Sequence, residues 1–431
     1  MPTARNKSID LKGLFKSSTV YAGAAFANAA LPFVLLPILT RHLAPDQYGL
    51  VALFSVMMAG FAPFVGLSVE GAAIRKFYDP ETNQKEMAEF LGSAIKIMIA
   101  VVGLLLVAAA ILSETTGFGK ILPDSWLLLS IGVAGCAFLF QLALGQLQVR
   151  KYAKHYGLLQ IAMSVANLTL SLVLVVLFDL GAEGRVIAIS VSTAGFGIVS
   201  FLVLSALGML SFQGSKEQLR EALRFGVPLI AHGFGTFAIT NFDRFLVGNL
   251  IGMTELGVYM VAAQTAAILG IIFSAFNNAF VPWLFEHLKQ NDVHKDSQIV
   301  KFTYLYFIAC TVIGSLAAYM APMFISIFAG ESYQGAGGIV ALLLVAQIFI
   351  GMYYMIVNYL LFAKKNAILS AITISSGVLN VVLIFLFYQR FSILGVAYAC
   401  VLTMLIRFLI TWWFSSLAHP MPWLPGRKPI P

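Results

Sequence analysis

The chain has 431 residues, 60% of them hydrophobic and only 11% charged, with a mean hydropathy of +0.89. Such a balance excludes an ordinary soluble domain and marks a polytopic membrane protein. The net charge of +8 then reflects basic residues gathered in cytoplasmic loops rather than a nucleic-acid partner.

Arg5, Lys7, Lys12 and Lys16 precede an apolar run from Ser17 to Thr40. The run is too long for the apolar core of a signal peptide, and no small-residue cleavage site follows it. It predicts a first membrane helix with the N-terminus in the cytoplasm. The apolar runs then give twelve spans, at 17–40, 48–73, 90–112, 125–148, 158–178, 186–208, 226–249, 256–283, 301–328, 337–362, 367–388 and 394–416. An even number returns the C-terminus to the cytoplasm. With the termini and alternate loops assigned to that side, 20 of the 27 Lys and Arg are cytoplasmic and 4 lie in outward loops. Lys96, Arg244 and Arg407 fall within spans. An error in span number would scramble this positive-inside pattern.

The longest outward loop runs only from Ser113 to Asp124, too short for an external catalytic domain. Ser215 to Arg224, SKEQLREALR, predicts a short amphipathic helix joining two halves. Cys136, Cys310 and Cys400 all lie in apolar runs, so disulfides are not expected, and no Cys/His spacing suggests a metal. No nucleophile–base constellation and no phosphate-binding glycine motif is present, so neither an enzyme nor a cofactor is expected.

The halves look related. LAPDQYGLVAL at Leu43–Leu53 matches IGMTELGVYMV at Ile251–Val261 at an offset of 208, with Gly49 on Gly257. Lys151 and Asn167 fall on Lys364 and Asn380 at an offset of 213, and Gly184 and Gly395 each open the last span of their half. Six spans per half insert both copies the same way up, a parallel repeat about an axis along the membrane normal. The expected domains are 1–212 and 213–431. In transporters such pairs place the substrate between lobes that rock.

The seventh span carries His232, Thr236, Thr240 and Asp243 on one helical face, with Arg244 beside the aspartate. Such a face should line a protein interior or a wet cavity. In the first span Ser17, Tyr21, Asn28 and Pro32 share a face, and at the 208 offset Asn28 corresponds to Thr236 and Pro32 to Thr240. Gln347, Tyr354 and Asn358 share a face of the tenth span. Helix–helix hydrogen bonding within a lobe is the alternative for each stripe. Pro32 and Pro37 should bend or hinge the first span.

LPFVLLPILTRHLAPDQYG, with Pro32, Pro37, Thr40-Arg41, Leu43 and Gly49, resembles the N-terminal signature of the polysaccharide-biosynthesis transporters. These are the O-antigen type oligosaccharide flippases of the multidrug/oligosaccharidyl-lipid/polysaccharide exporter superfamily. Asn241-Phe242-Asp243-Arg244 followed by Leu256-Gly257-Val258-Tyr259 resembles the family's seventh span and the turn after it. The resemblance implies an all-α membrane protein of two six-helix lobes in a V, in the bacterial inner membrane. Spans 1, 2, 7 and 8 would face a central cavity crossed by undecaprenyl-diphosphate-linked oligosaccharide in alternating access. The implied partners are that lipid-linked oligosaccharide, membrane lipids, and the polymerase and chain-length machinery of the pathway.

An anionic diphosphate needs cations on its way. Arg75 and Arg224 stand at the cytoplasmic ends of spans 2 and 7, Arg244 lies within span 7, and Arg41 marks the outer end of span 1. The diphosphate would be attracted at the inner pair, held near Arg244 and released past Arg41, each planar fork gripping phosphate oxygens at two points. Glu70, at the end of span 2, reads as a cytoplasmic gate residue able to pair with Arg75 or the other half. An ion pair involving Asp243 and Arg244 is the structural alternative for those two. Lys96 can snorkel and reads as structural, and Arg407 wants a structural partner. A cation-coupled drug antiporter of the same superfamily is the competing function. It wants a buried acid in the first lobe, where Glu70 is the only acid within the spans, although Asp243 could titrate.

Overall fold

The structure, a computed structural model, describes residues 23, 28, 30–116, 123–289 and 293–423. Side chains at 112–116, 228, 231, 232, 239 and 293–295 lie outside that description, as does the whole of Tyr21. Among the described residues all regular structure is helical. In chain order the helices are α1 (Ala30–His42), α2 (Pro45–Val65), α3 (Val69–Phe77), α4 (Gln84–Thr116), α5 (Asp124–Val149) and α6 (Ala153–Ser171, continued by a π-helix, Leu172–Leu177). Then come α7 (Gly181–Ala206), α8 (Lys216–Leu250), α9 (Met253–Leu288), α10 (Val293–Phe328), α11 (Ala336–Phe362) and α12 (Asn366–Ala418).

Nine of the described helices are long and apolar enough to cross a membrane. The long α12 holds two expected spans, because Ser392 breaks it with a non-helical φ of 50° and ψ of −132°. Adding α1 and α8, whose charged residues dilute its apolar stretch, gives the twelve. Two expectations need correction. Span 2 is two helices, not one, because Leu67 and Ser68 adopt positive φ of 47° and 54°. The segment from Ser215 is no separate linker helix: α8 runs unbroken from Lys216, its start marked by the Ser215 N–H donating to Gln218 Oε1 at 2.9 Å. The described part of α1 is helical through both Pro32 and Pro37.

The repeat is written into the backbone. Lys151 and Lys364 both have positive φ, 61° and 56°, and both close the same helix-ending bonds: Tyr152 N–H to Leu147 O, and Lys365 N–H to Leu360 O. Asp179 and Ser392, again 213 apart, have positive φ of 52° and 50° where the last span of each half begins. A Cβ on Gly184 would press on the Leu174 carbonyl, and one on Gly395 on the carbonyl of Phe387, the residue 213 after Leu174. Asn167 Nδ2 donates to Ser192 at 2.9 Å, and Thr403 donates to Asn380 Oδ1 at 3.3 Å. Lipid tails are as apolar as Leu, so helices in a membrane are joined by close packing and such hydrogen bonds rather than by hydrophobic burial.

The chain forms two compact units: residues up to Leu35 with Phe54–Phe234, and Leu36–Leu53 with Gly235–Pro431. Three helices therefore change unit in mid-course: α1 between its two prolines, α2 at Leu53, and α8 at Phe234. The first unit packs α3, α4, α5 and α7 around Phe90, Leu91, Leu147 and Leu204. Its α2–α3 break is clamped: Gly66 lies under Phe138, and Gly226 of α8 leaves room for the Leu67 carbonyl. Each left-handed non-glycine residue costs about 1–2 kcal/mol, so the break persists only because its neighbours fix it.

The second unit is held by an aromatic core of α9, α10, α11 and α12, with Phe280, Phe307, Tyr359 and Phe408 buried. The segment 36–53 joins it through backbone. Gly49 sits against the Met253 carbonyl and Gly257 against the Pro45 carbonyl, so α2 and α9 cross about a local two-fold: the two contacts exchange when each residue is replaced by its 208-offset equivalent. A side chain at either glycine would collide with a carbonyl oxygen. The Tyr333 hydroxyl donates to Leu43 O at 2.8 Å, and Tyr48 donates to Gln264 Oε1 at 2.9 Å.

Candidate functional site

The short helix α3 and the first turns of α8 build a cavity of about 630 Å³ in the first unit. Both elements place charge where helix ends favour it. Arg75 and Lys76 occupy the last turn of α3, near its negative pole, and Glu217 the first turn of α8, near its positive pole. The Ser215 hydroxyl holds the Glu217 carboxyl below the usual carboxylate range.

Arg75, Lys76, Tyr78, Asp79, Glu221 and Arg224 give the cavity its polar wall, and Phe90 and Phe225 its apolar one. Lys76 is committed: its Nζ lies 2.7 and 2.5 Å from the two Glu221 oxygens and 5.2 Å from the Phe90 ring centre. The Arg75 guanidinium stacks on Phe225 at 4.5 Å, an arrangement that leaves the donor edge of the fork available. Arg75 and Arg224 are both exposed, and among the described residues neither is in an ion pair. The fold thus brings together the two arginines expected at the inner rim. It adds Lys76, Tyr78, Glu221 and Phe225, which sequence reasoning missed because their partners lie on the other side of four intervening spans. Glu70 lies at the start of α3. It is half-buried, its Oε2 has no hydrogen-bond partner, and it makes no ion pair with Arg75.

A second group of charges sits on α8 in the second unit. Among the described residues neither Asp243 nor Arg244 is in an ion pair, the structural alternative raised for them. Asp243 Oδ2 accepts from the Tyr259 hydroxyl at 2.6 Å, and Arg244 Nη1 donates to Asn241 Oδ1 at 2.7 Å. Adjacent residues on a helix point about 100° apart, so each finds its own neighbour. Asp243 Oδ1 and Arg244 Nε are buried without a partner. Tyr259 was visible in the sequence only as part of a motif. Its role follows from burial, since at 1% exposure its hydroxyl must find an acceptor.

Thr236 and Thr240 are exposed one turn apart, and the Thr240 hydroxyl donates to the Thr236 carbonyl at 2.8 Å. The side chain of His232 lies outside the described residues. Asn28 Oδ1 accepts from Ser164 at 3.0 Å, a helix–helix bond within the first unit. Arg41 Nη2 donates to the Ile327 carbonyl at 3.4 Å in the second. Arg407 donates to the Tyr353 hydroxyl at 3.1 Å and lies 4.3 Å over the same ring, the structural partner it wanted. Lys96 Nζ reaches the Phe212 carbonyl at 2.7 Å. In the tenth span Asn358 donates to Asn277 Oδ1 at 2.8 Å. Among the described residues no group of three His, Cys, Asp or Glu could hold a metal.

The sequence matches the family described as polysaccharide biosynthesis protein over residues 14–288, which is more than half of the chain. The chain belongs to that family. Relatives of the polysaccharide biosynthesis family member include "Lsg locus putative protein 1" of Haemophilus influenzae, 27% identical over 381 residues, covering 85% of this chain and 90% of the relative. Another is the "Putative O-antigen transporter" of Shigella flexneri, 20% identical over 402 residues, covering 88% of this chain and 92% of the relative. Among solved structures, the lipid II flippase MurJ in an inward closed conformation has a TM-score of 0.72 at 12% identity, covering 93% of this chain and 87% of that one. An inward-facing multidrug resistance transporter of the MATE family has a TM-score of 0.71 at 16% identity, covering 90% and 94%. At such identities these two show the fold alone: the all-α, two-lobed architecture of the multidrug/oligosaccharidyl-lipid/polysaccharide exporter superfamily. The family member is thus a multi-span membrane protein with the fold of membrane transporters and flippases.

Proposed function

We propose that the protein is a flippase. It moves undecaprenyl-diphosphate-linked oligosaccharide repeat units from the cytoplasmic to the outer leaflet of the bacterial inner membrane by alternating access. The observation that carries this is the cavity of α3 and α8. Two exposed arginines, in no ion pair among the described residues, share one wall with a tyrosine and two carboxylates. A diphosphate suits the arginine forks, and sugar hydroxyls suit the carboxylates and the tyrosine hydroxyl. Membership of a polysaccharide biosynthesis family and the Shigella flexneri relative's name support the same cargo. The polymerase and chain-length machinery would take over the repeat unit on the outer face.

Deleting the gene tests this. Lipid-linked repeat units should accumulate on the cytoplasmic face and surface polymer should fall, with drug susceptibility unchanged. Normal surface polymer together with new sensitivity to cationic dyes would overturn the flippase in favour of the antiporter.

A further inference from the structure

A second cavity, about 470 Å³, opens in the second unit between α9, α10 and α11. Its wall is apolar: Ile268 and Ile272 of α9, Ile313, Met320 and Phe324 of α10, and Leu344 of α11. Thr265 is the one hydroxyl in the wall, and that hydroxyl is spent on the Val261 carbonyl at 2.8 Å. The cavity wall therefore offers a ligand no free side-chain donor and at most one acceptor, which disfavours the sugar head and the diphosphate there. Along α10 the wall runs from Ile313 to Ile327, about 21 Å at 1.5 Å per residue. That exceeds the depth of one leaflet, about 15 Å, and is the length of a hydrocarbon chain rather than of a small solute. Met320 and Met323 can adapt their shape to an irregular chain, and the stacked rings of Phe324 and Phe328, 4.4 Å apart, close one end.

The polar mark of the groove is at the same end. Arg41 donates to the carbonyl of Ile327, itself a lining residue, and is exposed and in no ion pair among the described residues. The positive-inside pattern puts this end outside. An apolar groove of lipid length with an exposed guanidinium, spent on one backbone carbonyl and on no carboxylate among the described residues, at its outer mouth is complementary to an anionic amphiphile, not to a neutral lipid or to a partner helix.

The geometry points to a docking groove on α9, α10 and α11 for the polyprenyl chain of the cargo, with Arg41 receiving its diphosphate in the outer leaflet. This rests on the flippase function proposed above and adds the place where the tail is held. A tail fixed beside the transporter keeps the long polymer from dragging on the head while the head is released.

The test uses the full-length protein in nanodiscs of phosphatidylethanolamine and phosphatidylglycerol, with a polyprenyl diphosphate carrying a diazirine on its tail. Photolabelling and peptide mapping should mark α10 between Ile313 and Phe328. Excess unlabelled polyprenyl diphosphate should compete, and raising the phosphatidylglycerol content should not. Ala317→Trp, which fills the groove, and Arg41→Ala should each lower labelling about tenfold. Ile308→Trp, on an exposed part of α10 outside the lining, should leave it unchanged and shows that the helix tolerates the bulk. Labelling displaced equally by phosphatidylglycerol would make this an annular lipid site and overturn the proposal, as would labelling confined to other helices. In either case the flippase function survives, provided that the probe still binds. Absence of saturable polyprenyl diphosphate binding anywhere would count against both.

Discussion

The two sets of charges along α8 are handled in opposite ways. Near its start Arg224, which lines the cavity together with Arg75, is exposed and among the described residues in no ion pair. Further along, Asp243 and Arg244 are half-buried, and each is given a neutral partner, Tyr259 and Asn241. A charge left free in water costs little and stays available for a ligand. A charge taken into the interior must be hydrogen-bonded or it destabilises the fold. The first set therefore tolerates loss structurally and should not tolerate it functionally. The second set answers to stability as well as to transport, so its mutants need controls that separate the two.

The largest expected effect is at the buried set. Arg244→Ala should abolish polymer export, and Arg244→Lys should restore it only in part, because an ammonium cannot reproduce the planar fork. Tyr259→Phe removes the hydroxyl that donates to Asp243 Oδ2 and should lower stability by about 1–3 kcal/mol, read as a fall in melting temperature of the purified protein. The double change Asp243→Asn with Arg244→Gln neutralises both groups without stranding either. If that variant reaches the membrane in normal amounts and still exports fully, Arg244 is structural and the comparison collapses into a difference of burial alone.

Next comes the free set. Arg75→Ala with Arg224→Ala should cut export about tenfold to a hundredfold, the worth of one to two charge-assisted contacts, and leave the melting temperature unchanged. Each single change should be milder, since the other fork remains. A large drop in melting temperature in the double variant would show that these arginines belong to the framework. The smallest effect is expected of Lys96→Ala. Its ammonium is exposed and reaches only the Phe212 carbonyl, so stability should stay within about 0.5 kcal/mol and export should be normal. An export defect there would place a functional cation outside both sets.

Much of this protein was legible in its sequence because lipid imposes local rules. A backbone in hydrocarbon must satisfy itself within one helix, so span number and class follow from runs of apolar residues. The duplication was legible for a related reason. Lys151 with Lys364 and Gly184 with Gly395 sit at helix ends, where the local backbone constrains residue type. The crossing of Gly49 and Gly257 was visible as an identity, though not as a contact. Other features needed the fold. Leu67 and Ser68 take left-handed conformations that neither residue prefers, so the break in the second span could not be read from them; Phe138 and Gly226 decide it. The pairing of Asp243 with Tyr259, 16 residues on, was hidden behind a nearer arginine. Lys76 meets Glu221 across 145 residues of chain, a partnership that no periodicity encodes. Sequence alone indicated which segments are apolar enough to span and where they repeat, because those depend on each segment's solvent. Which charges are spent and which are left free was decided only when distant segments met, because that depends on the neighbours each charge acquires.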